Sequence, residues 1–272
     1  MDYSSTKDII TYWDDAIRLW LAGEWDALQK PFLGNLGLSE EDMPEPYWGD
    51  PHNCSFVIVN YNPGGGFNRD RHTYRDCAGC PKSIITYAQQ MGYSTLARPF
   101  PLLMSEGDLK ANGMEWVKQY SGWTWWQKKL PWIEQIKEAA AGQGKTKSEK
   151  LPFVFELCAL HSKNFNEKCM DVVVDNNELK ALFCRTLREA VSSSDLKLAV
   201  CVGAKFNGFL DKLEFKRNPS LDGEKGPRCF QTYNCVNDHP EQGRIIVTWV
   251  PKSRNRYQLF SKEDLDVLKS LI

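Results

Sequence analysis

From Phe56 to Phe67 the chain reads FVIVNYNPGGGF. The six residues Phe56 to Tyr61 are β-rich and continuous rather than alternating in hydrophobicity, as a strand buried on both faces requires. The turn-forming run Asn62-Pro63-Gly64-Gly65-Gly66 then ends it. Three further runs repeat the pattern: Phe153 to Cys158 (FVFELC), Leu198 to Gly203 (LAVCVG) and Ile245 to Val250 (IIVTWV). Helical patterns lie between or after them, over Ser83 to Met91, Pro131 to Ala141, Asn177 to Val191, Phe206 to Leu213 and Ser261 to Ile272. Strands alternating with helices predict an α/β fold with a central four-stranded parallel sheet and helices on both faces. Ligands of such sheets bind beyond the carboxyl ends of the strands, so the four following loops are where chemistry is expected.

Outward from this frame, an N-terminal extension of about 50 residues carries an amphipathic helix. Its stripe is Ile10, Trp13, Ile17, Trp20 and Leu21, with Ser5 and Asp8 to cap it and Gly23 to stop it. An insertion from about Phe67 to Lys150 holds Trp116, Trp123, Trp125, Trp126 and Trp132, and ends in the polar stretch GQGKTKSEK, Gly142 to Lys150. The expected organisation is one domain, residues 1–272, with these two elaborations.

Composition excludes several classes. The 272 residues carry 34 Lys+Arg against 35 Asp+Glu, so no global charge draws the chain to nucleic acid or membrane, and any nucleic-acid contact must be a local patch. No apolar run approaches the roughly 20 residues of a membrane span. The start, MDYSSTKDIITYW, lacks the basic and apolar regions of a secretory signal, which makes the cytoplasm, or the nucleus in a eukaryote, the expected location. Nine cysteines, an odd number in a chain of this size, read as reduced thiols rather than a disulfide framework. Cys77-x-x-Cys80 lacks a second C-x-x-C, so no metal or cluster is expected.

The loops beyond the strands resemble those of the uracil-DNA glycosylase superfamily, most closely its single-strand-selective monofunctional and mismatch-specific branches. In that family the first strand ends in Asn-Pro-Gly, here Asn62-Pro63-Gly64. The last ends in His-Pro-Ser-Pro-Arg-Asn, and Val250-Pro251-Lys252-Ser253-Arg254-Asn255 matches it at Pro251, Arg254 and Asn255. Leu157 to Leu160 and Val200 to Phe206 resemble the second and third strands with their loops. The resemblance implies a three-layer α/β/α sandwich and a monomeric enzyme that flips a nucleotide out of single- or double-stranded DNA. It would hydrolyse the N-glycosidic bond without metal or redox cofactor. It also implies that Asn62 positions the attacking water, that backbone N–H groups near Gly64 line the pocket, and that Phe67 stacks on the base. Arg254 then takes the place of the wedge that fills the gap left by the flipped base. Lys252, Ser253 and Arg256, beside Asn255, would hold phosphates. Lys205, Lys212, Lys216 and Arg217 extend a possible basic rim.

Two positions depart from the family pattern. Val250 replaces the histidine that stabilises charge on the departing base, and His161, just past the second strand, is the candidate substitute. Glu156 stands where an Asn normally reads the base. An ionised carboxylate only accepts hydrogen bonds and mismatches uracil, which suggests a modified or mismatched base instead. Alternatives stay open: Glu156 could face a helix or pair with a Lys, and Phe67, displaced by an extra glycine, could pack the insertion. Two other functions remain: a reader that binds nucleic acid without cutting it, and a nucleoside hydrolase using Glu156 and His161 as an acid/base pair. Of the five clustered tryptophans, at least half are expected in the core, since adjacent Trp125 and Trp126 cannot face the same way on a helix.

Overall fold

The computed structural model describes residues 9–34, 36–40, 42–61, 100–119, 121–142, 144, 146–162, 164–213, 215–218, 230–235, 245–249 and 259–272. In chain order the elements are α1 (Ile9–Leu21), β1 (Tyr47–Trp48), β2 (Val57–Asn60), α2 (Glu106–Ala111), α3 (Ser121–Gln127), α4 (Leu130–Ala141) and β3 (Phe153–Glu156). There follow α5 (Lys168–Asp175), α6 (Asn177–Ser193), β4 (Leu198–Val202), α7 (Phe206–Lys212), β5 (Lys216–Arg217), β6 (Phe230–Asn234), β7 (Ile245–Trp249) and α8 (Lys262–Leu271). The predicted helix Ser83 to Met91 lies outside the described residues, as do Ser5 and Asp8.

The protein is an α/β fold whose strands form one mixed sheet in the order β1-β3-β2-β4-β7-β6-β5, flanked by helices. Its partly parallel stretch, β3-β2-β4-β7, consists of the four runs read from the sequence. Their register is fixed by Val57 opposite Ala199 and by Ala199 opposite Ile246. Three strands beyond the expected four enlarge the sheet. β1 and β5 are two residues long and carry no periodic signal, while β6 runs antiparallel to β7, with Thr232 opposite Val247. The chain divides into two compact units, one of residues 1–50, 61–128 and 156–182, the other of residues 51–60, 129–155 and 183–272.

The second unit holds most of the sheet. Val57, Ile58, Val59, Phe153, Val154 and all five residues of β4 are buried, which explains why these strands are continuous apolar runs. Trp132, fully buried on α4, stacks on Phe260 with ring centroids 5.6 Å apart and meets Phe56 edge-on at 6.4 Å. Phe155, Phe183 and Phe209 form a second aromatic row, with centroids 5.3 and 5.6 Å apart. α8 starts on a capping box, in which Ser261 Oγ accepts from the Asp264 N–H and Asp264 Oδ2 accepts from the Ser261 N–H. The expected helix after β4 is broken, because Asn207 is extended and Gly208 has φ 75°.

The first unit is built on α1, whose apolar face buries Ile10, Trp13, Ile17 and Trp20. Gly23 ends this helix as expected. It adopts φ 87°, its N–H donates to the Trp20 carbonyl, and the Glu24 N–H reaches back to Leu19. A buried polar knot follows: Gln29 Nε2 donates to Tyr12 Oη at 2.8 Å, and Tyr12 Oη and the Leu28 N–H both donate to Asp26 Oδ1 at 2.9 Å. In this unit Trp116 and Trp126 are buried, while Trp125 is 44% exposed beside Trp126 at 5.0 Å. Trp132 is buried in the other unit, so three of the five clustered tryptophans are core.

Candidate functional site

The order β3-β2-β4-β7 fixes where a ligand would sit on such a sheet. From β2 the chain's next parallel strand, β3, lies on one side, whereas β3 and β4 both lead on to strands on the other side. β2 is therefore the topological switch point, and the region beyond its carboxyl end is where open α/β sheets place ligands. Tyr61 immediately follows β2, and Glu156 is the last residue of β3. The Cys158 N–H donates to the Tyr61 carbonyl at 3.0 Å, joining the exits of the two strands.

The exit from β3 is organised by the segment that precedes β1. Pro44 and Pro46 flank Glu45, and a residue before proline is biased to extended backbone. Pro46 also has no N–H of its own, which suits an edge position. Three backbone bonds tie the two segments: the Glu156 N–H donates to the Pro46 carbonyl at 2.9 Å, the Glu45 N–H to Ala159 at 2.9 Å, and the Ser39 N–H to His161 at 2.8 Å. Asn166 Nδ2 reaches the Leu36 carbonyl at 3.4 Å.

These backbone bonds bring two side chains together. His161 Nε2 lies 3.6 Å from Glu45 Oε2, and both residues are buried, 3% and 4% exposed. At that separation the contact is longer than a hydrogen bond. The histidine is therefore not the solvated loop residue that its position suggests: it is buried beside a carboxylate from a distant segment. Glu156 is also buried, at 4% exposed. Its charge reaches Cys158, whose thiol is pushed well up by burial first, then by Cys169, with Glu156 adding to the effect.

An aromatic pair completes the group. Tyr61, buried, and Phe165, half-buried, stack with centroids 4.7 Å apart and planes 15° from parallel. A half-buried ring stacked on a buried one is a flat apolar surface of the kind on which a planar base rests. Phe165 and Glu45 were not singled out in the sequence. Glu45 has only its Pro-Glu-Pro context as a signal, and Phe165 has none until the turn after β3 is folded.

The other expected site residues, Asn62, Gly64, Phe67, Lys252, Ser253, Arg254, Asn255 and Arg256, lie outside the described residues, as do Val250, Cys77 and Cys80. Of the expected basic rim, Lys212, Lys216 and Arg217 are exposed and Lys205 is half-buried, all within the second unit. Among the described residues no group of three or more His, Cys, Asp or Glu side chains is placed to hold a metal ion. None of the described helices is long and apolar enough to cross a membrane. No family model, no curated protein and no solved structure matches the chain.

Proposed function

We propose that the chain is a divergent DNA glycosylase of the uracil-DNA glycosylase type, folded as a three-layer α/β/α sandwich around its four parallel strands. It flips a modified or mismatched base out of DNA and hydrolyses the N-glycosidic bond. The observation that supports this reading best is the hydrogen bond from Cys158 to Tyr61. It ties the residue before Asn62 to the turn after Glu156, at the switch point where a sheet of this kind binds its ligand.

In this reading Asn62 orients a water for attack on the sugar carbon, and the bonding pair of the glycosidic bond leaves with the base. Gly64 and its neighbours supply backbone N–H groups, and Phe67 stacks on the extruded ring. His161, oriented by Glu45, counters the negative charge that grows on the departing base. Glu156 reads the base edge. As an ionised carboxylate it suits two adjacent donors, as guanine presents; protonated, it suits the N3 acceptor and amino donor of a cytosine-type base. Lys252, Ser253 and Arg256 grip phosphates beside Asn255, and Arg254 fills the vacated stack.

The test is an abasic-site assay on single- and double-stranded oligonucleotides carrying uracil, hypoxanthine, mismatched bases or modified cytosines, with Asn62→Ala alongside. Product that vanishes in the variant supports the reading and names the base. DNA binding without product on any substrate overturns catalysis and leaves a non-cutting reader. The buried Glu45–His161 pair favours one second reading, hydrolysis of free nucleosides with Glu156 and His161 as acid and base. Turnover of nucleosides but not oligonucleotides selects it.

A further inference from the structure

His161 and Glu156 are 3% and 4% exposed, so a ligand the size of a nucleobase meets them only after a neighbouring element moves. β3 is buried along its whole length and is not that element. The segment laid across the β3 exit divides in two by burial. Met43, Pro44, Glu45 and Pro46 are buried, whereas Gly37 and Glu40 are exposed and Leu36, Leu38 and Ser39 are half-buried. Residues 36–40 are the loosely covered part, and they touch the turn of His161 directly. The Ser39 N–H donates to the His161 carbonyl at 2.8 Å, and Asn166 Nδ2 donates to the Leu36 carbonyl at 3.4 Å.

The chain enters and crosses this stretch on glycine. Gly34 has φ 90° and Gly37 has φ 71°, a region that side chains avoid, and a Cβ at either position would have no atom within 4 Å. With no neighbour in that space, both residues can change φ and ψ without displacing anything. The bonds that hold residues 36–40 closed are polar. Besides those to the His161 turn, Glu40 Oε1 accepts from the Gly34 N–H at 3.1 Å, and the Glu40 carbonyl accepts from the Trp20 indole N–H at 3.3 Å. A segment held by polar bonds at the surface rather than by buried apolar contacts opens locally before the fold does.

We propose that residues 36–40 are a gate over the turn of His161, swinging on Gly34 and Gly37 while Glu45 stays in place. Glu45 does not move with the gate because its own N–H is bonded to the Ala159 carbonyl at 2.9 Å and its flanking prolines are buried. Opening therefore uncovers the histidine without taking away the carboxylate beside it. What passes the gate, a flipped base, rests on the glycosylase reading; the gate itself rests on the burial, the bonds and the two glycines. A base that fits only the open form shifts the balance toward it.

The test labels imidazole in the full chain and needs no catalytic readout. Diethyl pyrocarbonate is added under native conditions, and trypsin then releases His161 on the peptide from Leu151 to Lys163 and the exposed His52 on that from Leu19 to Arg69. In the unmodified protein His161 should react far more slowly than His52. Gly34→Ala and Gly37→Ala strain the closed form alone, so each should speed His161 by about 5- to 30-fold and leave His52 unchanged. Hydrogen exchange followed by mass spectrometry on the same variants should show faster exchange around Ser39 and none gained in Leu198–Val202, which separates gate opening from global unfolding. His161 labelling as fast as His52, a rate that neither glycine variant changes, or an acceleration matched by exchange in Leu198–Val202 would each overturn the gate. Such a result leaves the glycosylase reading intact, just as an abasic-site assay without product leaves the gate intact.

Discussion

His161 Nε2 and Glu45 Oε2 stand 3.6 Å apart with both side chains almost wholly buried, although the residues come from segments more than a hundred positions apart. Removing the carboxylate takes a polar neighbour from a buried imidazole and leaves a gap in packed surroundings. Glu45→Ala is expected to cost about 1–3 kcal/mol of folding stability. Glu45→Gln, which keeps the shape, should fold, and, if the chain is the glycosylase proposed above, it should lower turnover. Urea midpoints and kcat for the two variants check this, and an unchanged kcat in Glu45→Gln would separate the pair from the chemistry.

Glu156→Asn restores an amide with one donor and one acceptor at the end of β3. If Glu156 reads the base, uracil release should rise by about tenfold or more, since a matched bidentate pair discriminates by roughly 1–3 kcal/mol. The assay is single-turnover cleavage of a uracil oligonucleotide. High uracil activity in the unmodified protein would sink the idea before the variant is made.

Trp132 and Trp125 should behave in opposite ways. Trp132 is 0% exposed and stacked on Phe260, so Trp132→Ala is expected to cost about 3–5 kcal/mol. Trp125 is 44% exposed and touches Trp126 edge-on, so Trp125→Ala should cost about 0.5–1 kcal/mol. Denaturant melts of the two proteins give the comparison directly.

Tyr233 on β6 predicts an alkaline limit to stability. Burial, with the charge of Asp211 second, raises its phenol to about 12. The unfolded phenol ionises near 10. The neutral form is therefore favoured by folding: the contribution is complete below about pH 10 and is lost as pH rises through 12, amounting to roughly 2–3 kcal/mol. Tyrosinate absorbance at rising pH should show one late-titrating phenol that disappears in Tyr233→Phe, and stability should decline over the same interval.

The parallel strands were legible because burial on both faces leaves a mark in composition. FVIVNY, FVFELC, LAVCVG and IIVTWV each contain a strand: Val57–Asn60, shorter by one residue at each end, Phe153–Glu156 and Leu198–Val202, shorter at the carboxyl end, and Ile245–Trp249, after which Val250 lies outside the described residues. Gly23 likewise revealed the end of α1 through its left-handed backbone. β5 left no such mark, since Lys216 and Arg217 are both exposed and a two-residue edge strand is defined only by its partner. The helices α3 and α5 are too short for a periodic stripe to stand out. In the candidate site, Glu156 and His161 could be named because they lie at and just past the end of a recognisable strand. Glu45 and Phe165 could not, because their roles depend on which segments the backbone bonds of the β3 exit bring together.

The pairing of Val57 with Ala199 also bears on how the chain is made. At a synthesis rate of about 5–20 residues per second, the roughly 140 positions between them correspond to about 7–30 s. Throughout that interval a mostly apolar strand has emerged from the ribosome without the neighbour that will cover one of its edges. Refolding from denaturant faces the same long loop closure, and slow, chaperone-sensitive assembly of the β2–β4 pair is the expected kinetic signature of this sheet order.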